Sequence, residues 1–266
     1  MPVPITPPEV DVRVVRSRVE DPRLLADELG SSAWLSRARV VKTDDRSSVL
    51  SGEVAGRGVI VKTLVTNPVR SRAPASIGKT RLNRQWRGAE MLIERGFPTV
   101  EPVLMWQGRS SRGHYAETLV MERVEGRTLL GALAGGALAL GTQRELAEEA
   151  GRLTARLVKA GLFNRDHKPS NIILRDGASN GRGRLVLIDT AGVTRLGSHR
   201  PERMLFNLIV ECVGTGTLPR RSVLLAGVKA YVDQVGDGEW REIWRAVERM
   251  LAEHGDPTPK DDPLRY

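Results

Sequence analysis

Leu162-Phe163-Asn164-Arg165-Asp166-His167-Lys168-Pro169-Ser170-Asn171-Ile172-Ile173-Leu174 and Leu185-Val186-Leu187-Ile188-Asp189-Thr190-Ala191-Gly192 are the two stretches whose reading decides the fold. In the first, a polar loop with the pattern D-x-K-x-x-N runs into a short apolar strand. In the second, an apolar strand ends on an aspartate. Read as strand, turn and strand, they form a hairpin with two carboxylates, an amide and an amine at its mouth. A D-x-K-x-x-N loop by itself is an ordinary turn in which Asp and Asn satisfy backbone groups. Its company separates it from that reading. Asp189 closes the strand that follows, and an upstream strand, Val59-Ile60-Val61-Lys62, offers a lysine.

This set of groups matches what phosphoryl transfer from ATP requires. Asp166 can accept a hydrogen bond from a substrate hydroxyl and align it for in-line attack. Lys168 can neutralise the moving phosphoryl group. Asn171 and Asp189 supply the hard oxygens that Mg²⁺ prefers. Lys62, which a strand edge would otherwise leave snorkelling into solvent, is then the contact to the α- and β-phosphates.

Outward from this core, the pattern is β-rich before it and helical after it. Alternating Val10, Val12 and Val14 read as an edge strand, and Asp21-Pro22 as the N-cap and first residue of a helix that stops at Gly30. Residues 39–64 read as three antiparallel strands, with Lys62 on the third and a polar turn over 42–48. A loop carrying Pro68 and Pro74 leads to a helix expected over 76–95, with Leu82, Trp86, Ala89 and Ile93 as its apolar stripe. Residues 100–106 and 115–122 pair as strands. A short helix within 129–140 breaks at Gly135-Gly136. Thr142 and Glu145 form a capping box for a helix to about 160, with Leu146, Ala150, Leu153 and Leu157 in the core. Helices follow over 202–213, 221–235 and 239–253. The domain division is an N-terminal extension over 1–35, a β-rich lobe over 36–124, a mostly helical lobe over 125–254 and a flexible tail over 255–266.

The 266 residues are enough to bury a substantial core. A net charge of +9 favours anionic partners, while an aromatic content of 4% argues against a surface that stacks single-stranded nucleic acid. The only cysteine, Cys212, lies in an apolar run and is expected to be buried and inert. No apolar run reaches the roughly 18–20 residues of a spanning helix, and Met1-Pro2-Val3-Pro4 lacks a signal-peptide layout, so a cytoplasmic location is expected.

The motifs Val59-Ile60-Val61-Lys62, Arg165-Asp166-His167-Lys168-Pro169-Ser170-Asn171 and Ile188-Asp189 resemble the protein-kinase-like superfamily. Three further features resemble its bacterial Kdo/WaaP lipopolysaccharide kinase family. They are Arg84-Gln85-Trp86 followed by Gly96-Phe97-Pro98, the hinge-like Leu119-Val120-Met121-Glu122-Arg123-Val124-Glu125-Gly126, and a short tail holding Asn207-Leu208 and Val228-Lys229-Ala230-Tyr231-Val232. The resemblance implies an α+β, two-lobed kinase fold that uses ATP and Mg²⁺. Its acceptor would be a sugar hydroxyl of an anionic glycolipid, the lipopolysaccharide core, met peripherally at the cytoplasmic face of the inner membrane. It also implies nucleotide contacts from Lys62, Gln85 and the hinge residue Glu122.

Some positions depart from that pattern. Gln85 stands where the family has a glutamate to pair with the strand lysine, and Glu90 lies about 140° further round the helix. The 42–48 turn has no glycine, which leaves Ser47 and Ser48 to cap phosphates. Asn164 replaces a histidine, and Thr190-Ala191 replaces Phe-Gly after the metal aspartate, with Gly192 one place late. His167 is either a solvated loop residue or a substrate contact, and Arg195 is a further candidate for an anionic substrate. Ile77-Gly78-Lys79-Thr80 superficially resembles a P-loop, but the first glycine of that motif is Ala73 and no strand abuts it. Two rival readings follow: a protein Ser/Thr or small-molecule kinase of the same fold, and a pseudokinase acting as a binding module.

Overall fold

The computed structural model describes residues 5–65, 80–109, 115–136, 138–175, 184–260 and 262–264. The loop with Pro68 and Pro74, the expected helix start over 76–79 and most of the P-loop-like segment lie outside them. The chain divides into two compact units, Met1–Ile93 with Val100–Val124, and Glu94–Thr99 with Glu125–Tyr266.

The first unit is built on a six-stranded antiparallel sheet in the order β1-β5-β6-β4-β3-β2. Its strands are β1 (Val10–Ser17), β2 (Arg39–Thr43), β3 (Ser47–Val54), β4 (Arg57–Val65), β5 (Pro102–Arg109) and β6 (Tyr115–Glu122). Alternation sorts β4 cleanly. Val59 and Val61 face a core made with α1 (Pro22–Gly30) and α2 (Ser32–Arg37), where Leu29, Trp34, Leu104 and Trp106 are fully buried. Burial of each large aliphatic side chain there contributes about 1.5–3 kcal/mol. Ile60 and Lys62 point to the other face, where α3 (Arg81–Ile93) packs. Residues 5–9, ahead of β1, lie against this sheet. The Trp106 indole donates to the Pro8 carbonyl, and Ser48 to that of Ile5.

Local signals account for α1: the Asp21 carboxylate accepts from the Leu24 amide, and Pro22 follows at the first turn. On α3, Leu82, Trp86 and Ala89 are buried as expected. Leu92 takes the inward place assigned to Ile93, and the polar Gln85 shares that face.

In the second unit, β7 (Gly126–Thr128), β9 (Ile172–Arg175) and β10 (Leu185–Leu187) form one small sheet, and β8 (Leu162–Asn164) pairs with β11 (Val193–Arg195). Its helices are α4 (Leu129–Ala134), α5 (Leu140–Lys159), α6 (Glu202–Gly214), α7 (Arg221–Val235) and α8 (Trp240–Glu253). The capping box expected at Thr142 is not formed. α5 begins three residues earlier, at Leu140 behind an extended Ala139 that gives no side-chain cap, and Gln143 reaches back to the Leu138 carbonyl. Leu146, Ala150, Leu153 and Leu157 are buried as read. The tail beyond Gly255 is not free throughout: Pro257 and Pro259 lie against Gly214 at the end of α6, where a side chain would meet the Pro257 carbonyl.

α5 and α7 cross at glycine. A methyl group on Gly151 would sit 2.0 Å from the Gly227 carbonyl oxygen, and one on Gly227 would sit 2.8 Å from that of Ala147. Backbone meets backbone there, so no rotamer change can relieve a substitution. Gly151→Ala is therefore expected to destabilise the protein by about 1–3 kcal/mol or more. Gly141→Ala, on the same helix with open space around it, should leave stability unchanged or slightly raised. Urea midpoints compare the two, and equal losses would refute this account of the crossing.

Candidate active site

Tight backbone geometry builds the loop after β8. The Asp166 carbonyl accepts two hydrogen bonds, from the Lys168 amide and the Asn171 side-chain nitrogen, each 2.9 Å. The Asp166 amide donates to Asn164 Oδ1 at 3.1 Å. One residue back, the Arg165 amide donates to the Gly192 carbonyl, and the Arg165 carbonyl accepts from Asn207 Nδ2 on α6 at 2.7 Å. Further along, Glu211 on α6 takes the Ser170 amide at 2.9 Å and its hydroxyl at 2.6 Å. The loop is thus tied at both ends to one helix.

This geometry orients Asn171. With its nitrogen committed to Asp166, its side-chain oxygen is the atom left to ligate a hard cation. The Ile188 amide donates to the Asn171 carbonyl at 2.9 Å, which brings Asp189 beside it. Asp189 adopts a left-handed backbone (φ 48°), a conformation that Asp tolerates better than most residues. The donor set therefore fits Mg²⁺. Among the described residues no group of three or more His, Cys, Asp or Glu side chains gathers to hold a metal unaided, so phosphate oxygens or water would complete the coordination.

Gly192 has a packing reason to be glycine. A Cβ there would lie 2.7 Å from Asp166 Oδ2 and 2.9 Å from the Asp166 amide nitrogen. Asp166 Oδ2 also meets the Arg165 guanidinium at 3.1 Å. That hydrogen bond and the charge of Asp166, with a further contribution from Asp189, raise the Arg165 pKa.

In the first unit, Lys62 Nζ donates to Gln85 Oε1 at 3.3 Å, and Gln85 Nε2 donates to the Met121 sulfur at 3.1 Å. The amide thus takes the place beside Lys62 at which the sequence resemblance leads one to expect a carboxylate. Glu90 does not substitute for it, since its carboxylate accepts from the Trp86 indole and Arg16. Glu122 ends β6 with its side chain exposed and its amide donated to the Glu101 carbonyl.

Ser47 and Ser48 are not placed as phosphate caps. Ser48 lies opposite Thr63, on the sheet face away from Lys62, and its buried hydroxyl donates to Ile5. Ser47 shares the Lys62 face, but Asp44 takes both its amide and its hydroxyl, along with the Arg46 amide. Burial pushes the Asp44 pKa up, but these hydrogen bonds outweigh it and hold the carboxylate below its usual range.

His167 is neither solvated nor exposed to substrate. It is fully buried, with Nε2 3.0 Å from the Thr154 hydroxyl, which itself donates to the Ala150 carbonyl. The Thr154 hydroxyl thus links the imidazole to the α5 backbone. Arg195 ends β11 on an exposed position. Cys212 is buried as expected, with its thiol pushed up to about 12 by burial. Sequence reasoning missed the supporting roles of Asn164, Glu211 and Thr154. Glu211 carried a signal, a charged residue inside the apolar run 208–213, and Thr154 lies on the buried face of α5.

A family model described as "Lipopolysaccharide kinase (Kdo/WaaP) family" matches residues 33–200. No curated protein matches the chain. Among solved structures, WaaP in complex with acyl carrier protein is similar at 17% identity and a TM-score of 0.59, covering 91% of this chain and 98% of its own. The Mycobacterium tuberculosis PknI kinase domain is similar at 17% identity and a TM-score of 0.45, covering 79% of this chain and 94% of its own. The likeness to WaaP carries the kinase-like fold.

Desolvation lowers the His167 pKa from 6.5 to about 4. Below pH 6.5 the unfolded chain takes up a proton that the folded one refuses, so stability should fall as pH drops from 6.5 to 4. The loss is on the order of 3 kcal/mol. Urea unfolding at pH 7, 5.5 and 4.5 measures it, and His167→Gln should flatten the profile. An unchanged slope in that variant would assign the loss to other groups.

Proposed function

Because the chain belongs to the lipopolysaccharide kinase (Kdo/WaaP) family, we propose that it transfers the ATP γ-phosphoryl group to a hydroxyl of a lipopolysaccharide-core sugar, Kdo or heptose, or of a related glycan. Membership makes it a phosphotransferase with an alcohol acceptor; the sugar and the residue roles are the proposal. The observation that carries it is that one hydrogen-bonded loop fixes Asp166, Lys168 and Asn171 together and joins Asp189 to them through Ile188.

Each residue has a derived task. The Asp166 carboxylate receives the proton of the acceptor hydroxyl as that oxygen bonds to the γ-phosphorus and the bond to the β-phosphate bridge breaks, releasing ADP. Lys168, exposed beside it, offsets charge on the moving group. Mg²⁺, when bound, neutralises phosphate charge, and Asn171 Oδ1 with Asp189 would hold it. Lys62, oriented by Gln85, contacts the α- and β-phosphates, and Glu122 borders the nucleotide. Gly192 keeps room for the Asp166 carboxylate.

The net charge of +9 supports an anionic glycolipid acceptor and peripheral contact with the cytoplasmic face of the inner membrane. No helix among the described residues is long and apolar enough to cross a membrane. The neutral Gln85 and the self-bonded 44–47 turn favour the pseudokinase reading as the alternative.

ATP consumption with Mg²⁺ and an extracted lipopolysaccharide-core glycolipid tests the proposal. Asp166→Ala should lower turnover by about 10²–10⁴, and Asp189→Ala should abolish it. Gly192→Ala should lower kcat at least tenfold by displacing Asp166, with nucleotide affinity little changed. Nucleotide binding without turnover in the wild type would establish the pseudokinase reading instead.

A further inference from the structure

The Asp166–Arg165 pair lies on the side of the loop open to solvent. The guanidinium is 68% exposed and the carboxylate 31%, and the two meet at 3.1 Å. Only the end of Arg165 is free to move: its amide is held by Gly192 and its carbonyl by Asn207. An ion pair this exposed is weakly held and exchangeable. A guanidinium also offers five donors in a planar fork, of which a single nitrogen meets a partner among the described residues.

If Asp166 receives the acceptor hydroxyl's proton, that hydroxyl must approach the same carboxylate. Arg165 then lies one hydrogen bond from the reacting oxygen. Lys168 is already engaged with the moving phosphoryl group, which leaves Arg165 as the neighbouring cation facing the rest of the acceptor. The hydrogen bond to Asp166 and then its charge raise the Arg165 pKa, so the guanidinium is a permanent positive group at this position.

Resting on the kinase reading above, we propose that Arg165 is a specificity-determining residue that selects acceptors carrying an anionic group, a carboxylate or a phosphate, beside the hydroxyl to be phosphorylated. On binding, the acceptor's anion takes the guanidinium from Asp166 as a forked partner. The exchange clears the carboxylate for the hydroxyl. An acceptor without that anion leaves Arg165 on Asp166, in competition with its own hydroxyl.

The test measures transfer to the extracted core glycolipid in three forms: untreated, dephosphorylated with hydrofluoric acid, and with its carboxylates amidated by carbodiimide. Wild type should lose roughly 10–100-fold in kcat/KM on one treated form, the effect of one charge-assisted contact. The form affected identifies the anion as phosphate or carboxylate. Arg165→Gln should show a comparable loss on the untreated form and treat all three alike, and Arg165→Lys should recover part of the preference. Equal use of the three forms by wild type, or a preference retained by Arg165→Gln, overturns the role of Arg165 and leaves the kinase reading standing. Transfer to none of the three overturns the acceptor reading and this inference with it.

Discussion

The rest of the site depends on a single peptide carbonyl. The backbone oxygen of Asp166 accepts from both the Lys168 amide and the Asn171 side chain, which fixes the backbone that carries its carboxylate. Those two bonds close the loop into a compact turn and decide which end of the Asn171 amide faces outward. They also place Asn171 beside Ile188, and so beside Asp189. Positioning is the larger part of phosphoryl-transfer catalysis, because the reaction asks the protein for alignment and charge more than for covalent chemistry.

Around that carbonyl the molecule spends most of its buried polar interactions on rigidity. Asn164, Asn207 and Glu211 tie the loop to β8 and α6, and Thr154 holds His167 beneath it. Side chains that resemble ligand-binding groups in the sequence are in several cases part of this scaffold. In the first unit the Asp44 carboxylate plays a related role, taking amides and a hydroxyl that a phosphate would otherwise find at the turn. The Lys62–Gln85 bond keeps the lysine directed without a second charge. An amide partner avoids the desolvation cost of a buried carboxylate and gives up the Coulombic attraction of an ion pair.

Much of this was legible in the sequence because it is local. Period-two runs around Val59-Ile60-Val61 and Leu185-Val186-Leu187 are strands. The Asp21-Pro22 pair starts a helix, and the spacing of Leu146, Ala150, Leu153 and Leu157 gives the buried face of α5. Asp166, Lys168 and Asn171 are few enough residues apart that one turn fixes them. The capping box at Thr142 is not formed because the helix already begins at Leu140, behind an extended Ala139.

By itself the sequence determined most of the strands and helices and which polar residues share the loop, since hydrophobic period and turn residues act over a few bonds. Tertiary structure alone decided which face of a strand looks where and which polar groups find each other. It turned Ser48 away from Lys62 toward Ile5, sealed His167 under Thr154, and set Gly192 against Asp166. Each of these depends on a neighbour distant along the chain or on a contact that spacing does not encode. The physical reason is that a buried polar atom must be satisfied by whatever packing brings to it.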